Sequence, residues 1–181
     1  MKFVRRHARI LAGSFLVIAS TIGLISCQSV RWKIVKSKIH REFPGVAQLS
    51  TDKLSAWTND PKRQPPVLLD VRTKAEYEVS HLAHAIQVEP GSDPAALHLS
   101  GDQPIVTYCS VGYRSSAFAE KLDKAGFKNV VNLDGSIFQW TNENRPLVND
   151  AGQTDKVHPF NALWGTLVDK PHRADITPLA E

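Results

Sequence analysis

The stretch Ile-Val-Thr-Tyr-Cys-Ser-Val-Gly-Tyr-Arg-Ser, residues 105–115, decides the fold of this chain. Its first four residues, Ile105–Tyr108, predict a short buried strand, because an unbroken run of apolar, β-branched and aromatic side chains suits a strand covered on both faces. Cys109 follows the strand directly. Helical periodicity then runs from about Arg114 to Lys124, and Gly126 ends the helix. The sequence therefore predicts a strand, a turn and a helix, with a thiol in the turn.

Short apolar segments alternate with helical segments on both sides of this unit. Further strands are predicted at Val46–Leu49, Val67–Val71, Ala85–Val88 and Val130–Leu133, the last of which is the final predicted strand. Helices are predicted from the N-cap Ser50 through Trp57 and, behind a capping box of Thr73 and Glu76, over Lys74–Val79. Asn142–Asp155 is interpreted as a polar loop. Strands separated by helices predict an α/β fold, with a small, mostly parallel sheet covered by helices on both faces.

The chemistry converges on the turn that holds Cys109. A thiol between a strand and a helix meets backbone N–H groups and the positive end of the helix dipole, a setting that stabilises a thiolate. Gly112 allows the backbone to curl so that successive amides face inward as an anion cradle. Arg114 adds a planar, permanently charged donor suited to an oxyanion. We therefore interpret Cys109 as a nucleophile; the alternative is a buried structural cysteine.

Several motifs, taken together, resemble a single-domain rhodanese, or thiosulfate sulfurtransferase, from about Val46 to Trp140. They are residues 68–72 with Glu76 and Tyr77, the turn at residues 80–85, the segment 104–116, and residues 133–136 with Trp140. Three residues depart from glycines that are usual in the family: Ser80, His84 and Ser136. None of the three is the nucleophile, so we expect the departures to affect local loop geometry and not the chemistry.

The resemblance implies a two-step transfer of sulfur. Cys109 attacks the outer sulfur of thiosulfate or another sulfane donor, and the resulting persulfide is taken by cyanide or a thiol. The backbone amides implied to hold the anionic sulfur belong to Ser110, Val111, Gly112, Tyr113 and Arg114, and the side chains of Tyr113 and Arg114 help to recognise the donor. No metal or organic cofactor is expected, because the seven His residues are scattered without paired ligand spacing. No second cysteine is placed to resolve the persulfide, so the acceptor comes from outside.

Four other residues are assigned supporting roles: Asp70 and Arg72 as an ion pair, Glu76 as a capping residue, and His81 as a hydrogen-bonding residue. Four residues separate Cys109 from Arg114, whereas cysteine phosphatases of the same fold use a loop one residue longer, so sulfur is favoured over a phosphate ester. The alternative to an enzyme is a catalytically idle rhodanese-like module that binds at the membrane.

Residues 1–26 have the layout of a secretory signal peptide, with a basic start and an apolar core over Ile10–Ile25. The ending Leu-Ile-Ser-Cys, residues 24–27, resembles the lipobox of bacterial lipoproteins. That resemblance implies cleavage before Cys27, a lipid on Cys27, and a protein anchored in the cell envelope facing the periplasm or the exterior. A single uncleaved transmembrane anchor is the alternative, because Ile10–Val30 contains 21 uncharged residues and about 20 cross a bilayer.

The sequence therefore predicts a signal peptide (1–26), a lipid-attachment cysteine with a basic juxtamembrane segment (27–43), a rhodanese-like domain (44–145) and a C-terminal extension of unassigned role (146–181). A basic helix over about Ser29–Arg41 is interpreted either as attracted to the membrane surface or as a solvated connector. The apolar cluster of the extension, from Val157 to Leu167, packs back on the domain or meets a protein partner.

The net charge and the positions of the charged residues indicate which binding partners to expect. The chain carries a net charge of +4 and a pI near 9.1, which suggests a nucleic-acid partner until the charges are located. Removal of residues 1–26 would leave 18 basic and 18 acidic residues, so no nucleic acid is expected. The expected partners are a small sulfur-containing anion, a thiol acceptor, and the membrane through the lipidated N-terminus.

Overall fold

The structure is a computed structural model and describes residues 28–176. The predicted signal peptide and Cys27 lie outside the described residues. The chain divides into two compact units, residues 1–34 and 35–181; of the first, residues 28–34 are described and are helical. Among the residues that the structure describes, none of the helices combines the length and hydrophobicity that a membrane crossing requires.

Helices and strands alternate along the chain, as predicted. The helices are α1 (28–42), α2 (Thr51–Thr58), α3 (Lys74–Val79), α4 (Tyr113–Lys124) and α5 (Ser136–Asn142). The strands are β1 (Gln48–Leu49), β2 (Val67–Asp70), β3 (Ile86–Gln87), β4 (Ile105–Tyr108), β5 (Val130–Leu133), β6 (Leu147–Asn149) and β7 (Gly152–Thr154). Short 3₁₀ turns lie at Pro94–Leu97, Trp164–Leu167 and Lys170–His172.

The main sheet has five strands in the order β1-β5-β4-β2-β3, and every neighbouring pair is parallel. All four residues of the central strand β4 are buried, which requires a covering layer on each face. On one face, Phe118 and Leu122 of α4 pack against Leu69 and Ile105. The predicted α/β fold is confirmed.

The sheet topology brings distant parts of the chain to one edge. Since β2, β4 and β5 are adjacent and parallel, the segments that follow them meet at their carboxyl ends. These segments carry Arg72 after β2, Cys109 after β4, and Gly135 with Ser136 after β5. This edge is therefore where a site can form.

Two predictions were wrong: residues 142–155 are not a polar loop, and β5 is not the last strand. Leu147–Asn149 and Gly152–Thr154 form an antiparallel hairpin, and Leu147 is fully buried. The hairpin also joins the domain, because the amide of Val148 donates to the carbonyl of His81 at 2.9 Å. Its strands were missed because each is three residues long and only the first contains large apolar side chains.

The end of α1 lies against the domain and not free in solvent. Ile39 is 3% exposed, and Lys36 forms an ion pair of 2.7 Å with Asp134, which follows β5. Residues 35–42 thus contact the domain through Ile39 and Lys36, while Lys38 and Arg41 are exposed; the attraction of this basic helix to a membrane surface stays a prediction.

The C-terminal extension also packs on the domain, which is one of the two predicted outcomes. Val157 and Val168 are fully buried and Leu167 is 3% exposed. The side chain of Asn142, at the end of α5, fixes the extension, since its Nδ2 donates to Leu167 O at 2.8 Å and its Oδ1 accepts from Asp169 N at 2.9 Å.

Candidate active site

The sulfur of Cys109 lies inside the turn between β4 and α4. The residue is 1% exposed, and the amide of Gly112 donates to Sγ at 3.2 Å. The backbone behind the thiol is fixed by α5, because the amide of Ile137 donates to Cys109 O at 3.2 Å and that of Phe138 to Ser110 O at 3.1 Å. Amides in the first turn of a helix have no partner within it, so α5 uses them to hold the loop in place.

Gly112 is required at the apex of this turn. Its φ is +112°, a conformation that residues with a Cβ rarely adopt. A Cβ there would also lie 3.2 Å from the side-chain nitrogen of Asn132. Asn132 cannot easily withdraw, because its Oδ1 accepts a 2.6 Å hydrogen bond from Ser115 Oγ. The predicted inward curl at Gly112 is therefore present in the backbone.

Ser136 supports the nucleophile in a way that the sequence analysis missed. Its hydroxyl accepts a 3.2 Å hydrogen bond from the amide of Cys109 and donates to Leu133 O at 3.0 Å. Ser136 and His84, two of the three departures from glycine, have φ values of +49° and +63°. Both keep the left-handed backbone that glycine usually provides, so the expected change in loop geometry does not occur there.

The guanidinium of Arg114 is held by a buried carboxylate. Its Nη1 donates to Glu76 Oε2 at 2.9 Å, and its Nη2 donates to Glu76 Oε1 at 2.8 Å and to Ser110 Oγ at 3.0 Å. Glu76 Oε1 also accepts from Ser110 Oγ at 2.9 Å. This bidentate pair fixes the plane of the guanidinium beside the loop. Sequence reasoning gave Glu76 only a capping role, because nothing local indicates a partner 38 residues away.

The pKa of Glu76 reflects these contacts. Burial alone would raise the pKa of this carboxyl, but the hydrogen bonds and charge of Arg114, the charge of Arg72 and the Thr73 amide lower it to about 2. Glu76 also completes the predicted capping box with Thr73. The carboxylate is therefore ionised at neutral pH and joins α3 to the loop of Cys109.

Asp70 and Arg72 form the predicted ion pair, and both side chains are fully buried. Arg72 Nη2 donates to Asp70 Oδ2 and to Ser80 O, each at 2.6 Å. Burial lowers the pKa of the Arg72 guanidinium, but Asp70 outweighs that effect and the pKa is raised. The pair fixes the backbone after β2 beneath the site.

The structure places the remaining predicted site residues in different surroundings. His81 stacks on Tyr77 with ring centroids 3.7 Å apart, and its Nδ1 lies 3.0 Å from Tyr77 O. Tyr113 donates its hydroxyl to Glu42 at the end of α1 and packs edge-on against Phe43 at 5.2 Å. Val111 is 5% exposed within the turn. Cys109, Ser110, Gly112, Arg114 and Glu76 thus come together, while His81 and the Tyr113 ring pack elsewhere.

A protein-family model described as a rhodanese-like domain matches residues 50–143, more than half of the chain. The chain belongs to the rhodanese-like domain family. The match includes the loop of Cys109 and Arg114 and the helix α3 that carries Glu76. It stops before the C-terminal extension, which begins with the hairpin, so the extension is an addition to the matched rhodanese-like domain.

Two curated proteins are similar to part of this chain. The probable adenylyltransferase/sulfurtransferase MoeZ of Mycobacterium tuberculosis is 34% identical over 83 residues, 44% of this chain and 21% of that protein. The tRNA uridine(34) hydroxylase of Pectobacterium carotovorum is 30% identical over 102 residues, 52% of this chain and 28% of that protein. The chain thus spans about a quarter of the length of these curated relatives.

Among solved structures, a thiosulfate sulfurtransferase from Pseudomonas aeruginosa superposes with a TM-score of 0.55 and 21% identity, covering 75% of this chain and 26% of that one. At this identity the likeness shows the rhodanese fold alone. The relatives of this rhodanese-like domain therefore include a sulfurtransferase and a hydroxylase.

Proposed function

We propose that this protein is a sulfurtransferase that moves a sulfane sulfur from thiosulfate or a related donor, through a persulfide on Cys109, to cyanide or a thiol. The observation that carries the proposal is the environment of the sulfur. Cys109 Sγ accepts a 3.2 Å hydrogen bond from the amide of Gly112. The sulfur lies at the start of a helix whose dipole favours negative charge, and Arg114 lies at the edge of the same loop.

The reaction follows from these positions. The Cys109 thiolate attacks the outer sulfur of thiosulfate, a new sulfur–sulfur bond forms, and the bond to the sulfonate sulfur breaks. Sulfite leaves with that electron pair, and the persulfide anion remains on the protein. Cyanide then attacks the terminal sulfur, thiocyanate leaves, and the electron pair returns to Cys109 as the thiolate. No proton transfer and no redox partner are needed for this balance.

The loop stabilises negative charge at both steps. The backbone amides at the start of α4 stabilise the anionic terminal sulfur, because preorganised hydrogen-bond donors in active sites stabilise charge that develops during the reaction. The guanidinium of Arg114 has five N–H groups. Three hydrogen bonds from these groups go to Glu76 and Ser110. The remaining N–H groups are suited to the sulfonate of the donor. The sulfurtransferase name of MoeZ gives independent support at the level of the family.

The test is the mass of the intact protein after incubation with thiosulfate. We expect a gain of one sulfur, located on Cys109 by peptide mapping, and its loss as thiocyanate when cyanide is added. Incubation with sulfate, which has no sulfane sulfur, is the matched control and should leave the mass unchanged. An unmodified thiol and no thiocyanate would instead favour the idle binding module.

We further propose that the protein works at a membrane, attached through a lipid on Cys27. The basis is the sequence alone, in the lipobox-like residues 24–27. In the expressing bacterium, Cys27→Ala should move the protein from the membrane fraction to the soluble fraction, while Gln28→Ala should leave it with the membrane. Retention of Cys27→Ala in the membrane, together with no effect of globomycin, would point to a transmembrane anchor.

A further inference from the structure

The C-terminal extension reaches the site that the matched domain forms. The ring centroid of Phe160 lies 4.9 Å from the guanidinium carbon of Arg114, a cation–π distance. The guanidinium therefore meets an aromatic ring as well as the carboxylate of Glu76. Phe160 lies beyond residue 143, where the match to the rhodanese-like domain ends.

His158 lies in the same region and has a defined neutral form. Its Nδ1 accepts the backbone amide of Phe160 at 2.9 Å, so the proton of the neutral ring is on Nε2. His158 is 9% exposed.

The charged groups of the site influence the pKa of His158. Burial lowers its pKa, and the charges of Arg72 and Arg114 lower it further, although Glu76 opposes them. These three groups are the charges that act on the ring. The imidazole is therefore neutral at pH 7, which is the form that can accept the Phe160 amide at Nδ1.

The segment that carries both residues is attached to the domain by several contacts. The amide of Val157 donates to His172 O at 2.8 Å, and Asn142 binds Leu167 and Asp169 as described above. Gly165 packs so closely on Pro159 that a Cβ on Gly165 would lie 2.9 Å from that ring. A residue that positions another side chain needs supporting contacts of this kind.

We propose that Phe160 and His158 are positioning residues of the active site: the ring of Phe160 holds the guanidinium of Arg114 in place for the anionic end of the sulfur donor, and His158 fixes the backbone of Phe160. This inference rests on the proposed sulfurtransferase function. The aromatic ring contacts the guanidinium in addition to the carboxylate of Glu76, and the neutral imidazole holds the ring's backbone without adding charge. The preferred substrate class is a small, anionic sulfane donor such as thiosulfate.

The test is steady-state thiocyanate formation with thiosulfate as the varied substrate. Phe160→Ala and His158→Ala should each raise KM for thiosulfate about fivefold, the ratio that ~1 kcal/mol of binding gives, with kcat within twofold of wild type. Phe160→Trp, which keeps the aromatic face, should restore KM. Leu163→Ala is the matched control, because Leu163 lies in the same segment and is 73% exposed. Unchanged KM in both alanine variants, or a fall confined to kcat, overturns the proposal.

A second measurement separates this inference from the proposed function. Cys109 is alkylated with iodoacetate, an anion, and with iodoacetamide, its neutral analogue, and the ratio of the two rates is taken. Phe160→Ala should lower that ratio about fivefold even if the protein transfers no sulfur, because only the anion depends on Arg114. A ratio equal to that of Leu163→Ala overturns the inference, whereas a missing persulfide in wild type overturns only the sulfurtransferase.

Discussion

Replacing Cys109 with serine is expected to lower kcat/KM for thiosulfate by at least about 10³-fold, because removal of the nucleophile lowers the activity of other enzymes by at least this factor. A hydroxyl is not ionised at neutral pH and cannot form a persulfide. Serine is close to cysteine in size, and its oxygen can still accept the amide of Gly112 that now donates to Sγ at 3.2 Å. The change therefore removes the chemistry while the turn keeps its hydrogen bond. The measurement is thiocyanate formation at saturating cyanide.

The unfolding midpoint in urea is the control for Cys109→Ser, and it should stay close to that of wild type. Cys27 is the other cysteine of the chain, so the assay is repeated with Cys27→Ala to exclude transfer through that thiol. Residual activity within tenfold of wild type in the double variant would contradict the assignment of Cys109 as the nucleophile.

Glu76→Gln is expected to cost about 3 kcal/mol of unfolding free energy at pH 7, because the shift of its pKa from 4.5 to about 2 corresponds to that amount at ~1.4 kcal/mol per pKa unit. The side chain is 2% exposed, so solvent screens the interaction little. The substitution removes the charge that faces Arg114 and Arg72. Because it also loosens the guanidinium, sulfur transfer should fall roughly 10- to 100-fold.

The pH dependence of this effect has a defined sign. A carboxyl whose pKa is lowered on folding stabilises the folded state fully above its ordinary pKa, and this contribution is lost as pH falls towards the folded value. The difference between wild type and Glu76→Gln should therefore be largest above about pH 4.5 and shrink as the pH approaches 2. The measurement is urea unfolding as a function of pH.

Glu78→Gln is the matched control for the same helix. Glu78 lies two residues further along α3, is 57% exposed and pairs with Lys74 at 3.6 Å. Exposed pairs of this kind contribute at most about 1 kcal/mol, so the variant should be close to wild type at every pH. Equal losses in Glu76→Gln and Glu78→Gln would contradict a special role for the buried carboxylate.

The elements that were predicted with correct bounds are those with strong local signals. Strands β4 and β5 are continuous apolar or nearly apolar runs, and α3 begins at a capping box whose two hydrogen bonds both form. The N-cap of α2 at Ser50 is also confirmed, since its side chain accepts the amide of Lys53. In each case the determining interaction lies within a few residues, where a pattern can indicate it.

The parts of the site that could not be predicted depend on contacts between distant residues. Arg114 was expected to face an oxyanion, and the sequence offered no sign that Glu76 would hold it. The Ser136 hydroxyl meets the amide of Cys109 only because β4 and β5 lie side by side. Phe160 reaches Arg114 through an extension whose role no pattern indicated. Tertiary packing, and not local preference, creates all three contacts.

The burial of Ile39 has a consequence for where this protein can be divided. Ile39 Cδ1 lies 3.6 Å from the position that a Cβ on Gly112 would take, so the end of α1 supports the apex of the catalytic turn. A fragment trimmed to residues 50–143, the extent of the family match, would expose that apex on one side and lose Phe160 on the other. Segments on both sides of the family boundary therefore take part in shaping the reactive centre, and a fragment cut at that boundary would lack both contacts.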